Sequence, residues 1–548
     1  MRTKKSLVLL ATAALAVAGL GTAAQAENIL TVLRPSQWGA YNLNPFLGNS
    51  QRLEATVSAI YETLFFVNTV NGDVTDVLGT GYKWSNGNKT LTVTTRTGVK
   101  WNDGQAFSAK DVAFTFNYIH KYPALDLSAL WSTGLQSVTA PNDTTVVFNF
   151  ANKNTPILQY LANQAIVPEH IWSSITDPTT FTNQHPVATG PFMFDSYSLQ
   201  AYSVVKNPNY WMKDKPYIDG IHWIVRLGAD ASLLAMLKGE ADFTYSGYTD
   251  VKKDYAAKNP AVNLYYWPVT NGNYLYLNEA KAPFGDAKFR HAVAQAIDTS
   301  TVAARAYNGT ANALNASGII PAQQGQWLSA ANKAAMWSYN PEKAKAELKA
   351  AGYKWDSAGN LLGKDGKKLP SFKILVGSGW LDFITMATVI GENFKQLGIA
   401  TTIDQQSWGG YIAALQSAQY DMAISWGQGN GSSPYYFFYQ DFAPEFSAKK
   451  VGDNATSNFT RYTNPVITNA LKTFRETADL ATQKKAVDSM VKVFLRDVPL
   501  IPLTDRNNFD DFNASRFTGW PSDKNPYNDG SPDDGIGARL VYLNVKPK

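Results

Sequence analysis

Two periods of apolar and polar residues alternate along this chain. Residues 90–96 (TLTVTTR) and 144–150 (TTVVFNF) alternate in the manner of half-buried strands. Asp111 to His120 instead carries apolar residues at helical spacing, and Ser108, three positions before Asp111, is a helix-entry signature. Asn340-Pro341-Glu342 opens another helix, with Asn as cap, Pro in the first turn and Glu at the positive end of the dipole; Gly352 closes it. A third helix runs from Met386 to Leu397 and stops at Gly398. With the β-rich runs Phe372–Val376 before it and Ile399–Ile403 after it, it reads as a βαβ-like unit. Short strands and amphipathic helices alternate throughout, which predicts an α/β fold. Loops rich in Gly, Asn and Ser are expected at 84–89, 270–273 and 427–433.

The first 26 residues follow a different pattern. Arg2, Lys4 and Lys5 precede an apolar stretch from Leu7 to Leu20, and Ala24-Gln25-Ala26 ends it with the small-x-small spacing a signal peptidase cuts. The stretch is short for a membrane span. The reading is a cleaved signal peptide, a mature chain opening at Glu27, and a periplasmic or extracellular location. With no cysteine at the cleavage point, no lipid anchor is expected. The formal net charge of +5, less those three cations, leaves +2. No basic run occurs in the rest, so no nucleic-acid partner is expected. The absence of cysteine also excludes disulfides, thiolate metal sites and cysteine nucleophiles. The 522 residues left from 548 after removal of 26 exceed one ordinary core, so two or three domains held by burial alone are expected.

Catalytic signatures are missing. There is no G-x-S-x-G elbow, H-E-x-x-H helix, Walker loop or calcium loop. The five histidines, at 120, 170, 185, 222 and 291, show no metal-ligand spacing. Gly427-x-Gly429-x-Gly431 lacks the Lys-Ser/Thr of a phosphate cradle and reads as a loop. A secreted hydrolase using two carboxylates distant in sequence stays open as an alternative; the expectation is a non-enzyme with no cofactor and no metal.

Several segments, read in order, resemble the extracellular solute-binding proteins of family 5, the oligopeptide, dipeptide, nickel and cello-oligosaccharide group. They are GVKWNDGQAFSAKDVAFTFNYI (98–119), ATGPFMFDSY (188–197), KNPNYWMKDKPYIDGI (206–221), LKGEADFTY (237–245), YLYLNEAKAPFGDAKFRHAVAQAID (274–298) and YNPEKAKAELKAAGY (339–353). Most of these residues have a structural reading: Asp103-Gly104 as a turn, Gly190-Pro191 as a kink at a crossing between lobes, Asp286 at a helix start. The resemblance implies a two-lobe periplasmic-binding-protein fold with a hinge and an extra subdomain on the first lobe. By analogy, lobe I would comprise 27–72, 187–275 and 500–548, the subdomain 73–186, and lobe II 276–499. It also implies a monomer that traps a small ligand between lobes and presents it to an ABC permease.

The segment YDMAISWGQGNGSSP (420–434) bears on the ligand. Peptide-binding members of the family carry there an aspartate that holds the peptide's α-ammonium; this chain has Gly429 at that place, between Trp426 and Pro434. A buried ammonium without a counter-charge is costly. Neutral donors, acceptors and rings suit a neutral β-linked oligosaccharide instead, whose C–H faces stack on aromatics. The candidate rings are Trp38, Trp380, Trp408, Trp426, Tyr245, Tyr274, Tyr435 and Tyr436, and the candidate hydrogen-bonding residues are Asn271, Asn273, Asn278, Gln428 and Asn430. Oligopeptide or dipeptide binding is the alternative within the same family.

Overall fold

The computed structural model describes residues 28–548 apart from 36–37, 39–40, 49–50, 133 and 531–534. The export segment expected at 1–26, with its cleavage point before Glu27, lies outside those residues.

Two larger sheets define two lobes. The first has seven strands in the order Asn263–Tyr266, Asp510–Asn513, Phe243–Tyr245, Ile29–Arg34, Gly220–Val225, Ala201–Lys206 and Phe192–Tyr197. Ile29–Arg34 pairs parallel with both of its neighbours. The second has five strands in the order Thr401–Gln406, Phe372–Gly377, Met422–Trp426, Val269–Leu277 and Leu500–Asn507. A four-stranded antiparallel sheet, Gly79–Ser85, Thr90–Thr95, Thr145–Phe150 and Leu135–Asn142, lies between strands of the first lobe in sequence. Helix Ala109–Lys121 packs on it and begins with a reciprocal capping box between Ser108 and Asp111.

Sheet membership moves the expected lobe boundaries. Strands Val269–Leu277 and Leu500–Asn507 pair with each other inside the five-stranded sheet. The chain therefore changes lobe near 268 and 508 rather than at 275 and 500. The two crossing segments are tied together: the Asn508 backbone N–H donates to the Pro268 carbonyl at 3.0 Å, and the Asn507 side chain donates to the Trp267 carbonyl at 3.0 Å. Gly190 does not stand at a lobe crossing; it lies where the chain enters the seven-stranded sheet. Any Cβ there would collide with the carbonyl of Ile60, which explains the glycine.

Three local expectations also shift. Residues 270–273 are strand rather than loop, bulged against Leu500–Asn507 and, at Asn273, paired also with Trp426. The helix expected from Met386 starts at Leu381; its first turn is hard to see because Leu381 itself is exposed. The strand after it is Thr401–Gln406, at the edge of its sheet, where polar residues are tolerated and the apolar pattern fades.

The four-stranded unit also reaches the second lobe. In the segment after its last strand, the Thr155 N–H donates to the Arg475 carbonyl (3.0 Å) and the Gln159 amide to the Asn430 carbonyl (2.9 Å). From the other side, the Tyr436 hydroxyl donates to the Pro156 carbonyl (3.0 Å), and the Tyr160 and Tyr436 rings meet edge to face at 5.6 Å.

Candidate functional site

Three strands of the second lobe run parallel and side by side: Thr401–Gln406, Phe372–Gly377 and Met422–Trp426. Their carboxyl ends therefore share one edge of the sheet, the usual place for a ligand in an open α/β fold. Trp408, Trp380 and Trp426 stand at or just after these three ends. Trp380 lies 5.9 Å from both Trp408 and Trp426, and Trp408 and Trp426 are near parallel at 6.1 Å. The Trp380 ring folds back over Gly377, where a Cβ would strike it. Phe383 and Tyr411 meet Trp380 edge-on at 5.3 and 5.0 Å.

This edge faces the first lobe across a cavity of about 370 Å³, within the range of small-molecule sites. The first lobe supplies Ala229, Asp230, Leu233, Gly247, Tyr248, Thr249 and Asp254. Trp380, Trp426, Tyr307, Asp382 and Arg506 come from the second, with Phe509 just past its last strand. The Asn308 side chain crosses to the Thr249 carbonyl at 3.1 Å. The Arg506 guanidinium lies 4.8 Å from the Trp426 ring centre. The Tyr307 hydroxyl donates to Asp382 at 3.0 Å and accepts from Asn273 at 2.9 Å. Burial, and next the Asp382 carboxylate, push that phenol well above its ordinary pKa.

The tryptophans are brought together as a cluster, but not as three independent platforms. A sugar held between two rings needs about 7–8 Å between their planes, twice a van der Waals contact. Trp408 and Trp426, at 6.1 Å, leave no such slot. Trp380 and Trp426 line the cavity, while Trp408 is 48% exposed beside them.

The other expected residues take different places. Tyr245 sits behind Phe509 at 5.8 Å and does not line the cavity. Trp38 is buried in the first lobe, edge-on to Tyr202 at 4.8 Å. Tyr274 is core, its hydroxyl given to the Gly318 carbonyl, and Tyr435 packs on Phe474 and Tyr439. Tyr436 belongs to the contact with the four-stranded unit. Asn273 and Asn278 are fully buried: Asn273 holds Tyr307 and Thr504, and Asn278 ties the Ala418 and Tyr420 carbonyls. Asn271 binds the Gly427 carbonyl, and the Gln428 side chain the Trp426 carbonyl. Asn271, Tyr274 and Asn430 line only a void of about 20 Å³, room for a water and no ligand. Asn271, Asn278 and Gln428 show that a polar residue near a strand end satisfies backbone groups as readily as it meets a ligand.

Sequence reasoning missed Tyr248, Thr249, Tyr307, Asp382, Arg506 and Phe509. Asp382 stands two positions after Trp380, and Arg506 is the one cation of the strand Leu500–Asn507; both were available as signals. Four of the five histidines are occupied elsewhere: His120 stacks on Trp131, and His170, His222 and His291 pair with Asp103, Ser203 and Glu347. Among the described residues no group of three His, Asp or Glu is placed to hold a metal ion, and no helix is long and apolar enough to cross a membrane.

Gly429 has a structural cause. A Cβ at this position would collide with the Tyr436 carbonyl, so no aspartate fits without moving the backbone. Its N–H, with the Gln428 N–H and the Tyr276 hydroxyl, points at Asp441 instead. That carboxyl is buried behind the loop and is not part of the cavity wall; burial raises its pKa to about 7 against those three donors.

Comparison with known proteins places the chain. Residues 73–448 match the family model of bacterial extracellular solute-binding proteins, family 5. The oligopeptide-binding protein AppA of Bacillus subtilis is 24% identical over 419 residues, covering 74% of each chain. The peptide transport periplasmic protein SapA of Salmonella typhimurium is 24% identical over 417 residues, 72% of this chain and 71% of that one. Among solved structures, a periplasmic oligopeptide-binding protein of Thermotoga maritima with mannohexaose bound superposes with a TM-score of 0.85 at 24% identity, covering 96% of this chain and 99% of that one. Bacillus subtilis AppA with a nonapeptide gives 0.76 at 21%, covering 95% and 98%. With more than half its length matched by the family model and a two-lobe fold shared with these structures, the chain belongs to the bacterial extracellular solute-binding proteins of family 5.

Proposed function

We propose that this protein captures a neutral β-linked oligosaccharide in the cavity between its lobes and delivers it unchanged to the membrane permease of an ABC importer. The observation that carries the reading is the convergence of Trp380, Trp408 and Trp426 at one strand edge beside that cavity. Flat apolar faces ringed by a few polar groups suit the alternating C–H and hydroxyl surface of a sugar. The Thermotoga relative with bound mannohexaose supports the ligand class by analogy of fold.

The second reading is oligopeptide binding, favoured by the names of the curated relatives. Against it stands Gly429, at the place where peptide-binding members of the family carry their ammonium-binding aspartate. Calorimetric titration with cello-, manno- and xylo-oligosaccharides beside mixed di- to pentapeptides decides between them. Micromolar sugar binding with no peptide response supports the proposal; micromolar peptide binding with no sugar response overturns it. Recovery of the sugar at unchanged mass separates binding from hydrolysis. Export completes the reading: the mature protein begins at Glu27 and behaves as a monomer, which intact-mass measurement and light scattering check.

A further inference from the structure

On the second-lobe wall of the cavity, two side chains of opposite charge stand beside one phenol. Asp382 accepts the Tyr307 hydroxyl on Oδ2 at 3.0 Å, and among the described residues no cation stands in salt-bridge range of it. Arg506 lies 4.8 Å from the Trp426 ring centre, and no carboxylate or hydrogen-bond acceptor holds its guanidinium among the described residues. Asn273, which donates to the Tyr307 hydroxyl, pairs across the strands with Trp426, the ring beneath Arg506, so the two charges border the same part of the cavity. The other cavity arginine, Arg305, is taken by Glu392 at 2.7 Å. Asp382 and Arg506 are both half-buried and line the cavity.

Such groups are satisfied by water while the cavity is wet. When a ligand displaces that water, it must offer acceptors to the guanidinium and donors to the carboxylate, or each charge loses its solvation without return. A sugar hydroxyl does both, since it donates one hydrogen and accepts on its lone pairs. The planar fork of an arginine matches two adjacent oxygens. The pair sums to zero charge, so a neutral ring leaves neither partner unbalanced. An anionic ring gains Arg506 but meets Asp382, with Asp230 and Asp254 across the cavity.

We propose that Arg506 and Asp382 are the specificity-determining pair of this site, reading adjacent hydroxyls of one sugar ring and selecting neutral over acidic oligosaccharides. The proposal rests on the oligosaccharide reading above.

The test is calorimetry on the full mature protein with cello- and manno-oligosaccharides and with uronic-acid oligomers of matched length, for wild type, Arg506→Met, Asp382→Asn and the double variant. Melting temperature and near-ultraviolet circular dichroism establish that each variant is folded. The expected result is neutral-sugar affinity at least ten-fold weaker in each single variant, with losses in the double variant that do not add, because both groups hold the same ring. Wild type binds the uronic-acid oligomers at least ten-fold more weakly than neutral ones, and Asp382→Asn narrows that gap. Unchanged neutral-sugar affinity in both folded single variants overturns the pair while leaving the oligosaccharide reading intact. Tighter binding of uronic-acid oligomers than of neutral ones overturns the selection for neutrality. Absence of any sugar response in wild type is the separate outcome that removes the oligosaccharide reading itself. Should either variant fold poorly, Arg506→Lys supplies the second measurement: it keeps the charge but loses the fork, and a retained neutral-sugar affinity there counts against the pair.

Discussion

The Gln159 side-chain amide donates to the Asn430 carbonyl at 2.9 Å, and its oxygen accepts from the Ser432 N–H at 3.3 Å. One side chain of the four-stranded unit thus bridges two points of the glycine loop that follows the Trp426 strand. The contact ties the four-stranded unit to the second lobe, while the crossings at 268 and 508 join the lobes at another place. Gln159→Ala removes both bonds, each worth about 1 kcal/mol. If closure is part of binding, ligand affinity falls about ten-fold, and the radius of gyration without ligand rises in small-angle scattering. Unchanged scattering and affinity would show that the contact is incidental to closure.

The tryptophan cluster predicts unequal costs. Trp380 and Trp426 line the cavity and Trp408 does not. Replacing either of the first two with alanine is expected to cost about 1–3 kcal/mol of binding, from lost stacking and burial. Trp408→Ala costs less than either. Titration calorimetry on the three variants gives the order; a dominant loss at Trp408 would mean that ligand stacks on its exposed face instead.

Restoring the missing aspartate should fail. Gly429→Asp places a Cβ against the Tyr436 carbonyl. A lower melting temperature, consistent with a loss of about 1–3 kcal/mol from overpacking, is expected, with no gain of peptide binding. A stable variant that binds peptides would show that the loop relaxes and that Gly429 alone sets the ligand class.

Asp441 predicts a pH dependence. Its folded pKa of about 7 lies above the ordinary aspartate value of 3.8, with burial as the leading cause. The folded state therefore binds more protons than the unfolded state between these values. The contribution of this group to stability is full below the lower value, falls as pH rises from about 4 to 7, and is flat above. The conversion of pKa to free energy sets a ceiling of about 4 kcal/mol on the change. Asn at 441 does not titrate, so the stability difference between wild type and Asp441→Asn shifts against wild type across that interval. Chemical denaturation at pH 4.5, 6 and 8 measures it; a constant difference would show that Asp441 stays ionised throughout.

What was legible in the sequence was local. The Ser108–Asp111 capping box, the Asn340 cap before Pro341 and the alternation in residues 90–95 and 145–150 each depend on neighbours within a few positions, and each reappears in the structure. The segments resembling the family carried the two-lobe fold through motifs of the same local kind. The strand at 269–277 reads locally as containing a loop because Asn271, Gly272 and Asn273 are turn-favouring residues. Pairing on both sides outweighs that preference.

Which rings and charges meet was decided by tertiary structure. Trp380, Trp408 and Trp426 converge because three strands separated by helices happen to run parallel as neighbours, and Arg506 reaches Trp426 because the last strand of the sheet returns from residue 500. The same order sends Tyr274 and Tyr435 into the core and Asn273 behind Tyr307. Residue type sets whether a side chain is able to stack or donate. Strand order and lobe contact set what lies opposite it, and those depend on pairings across hundreds of residues that no local pattern encodes.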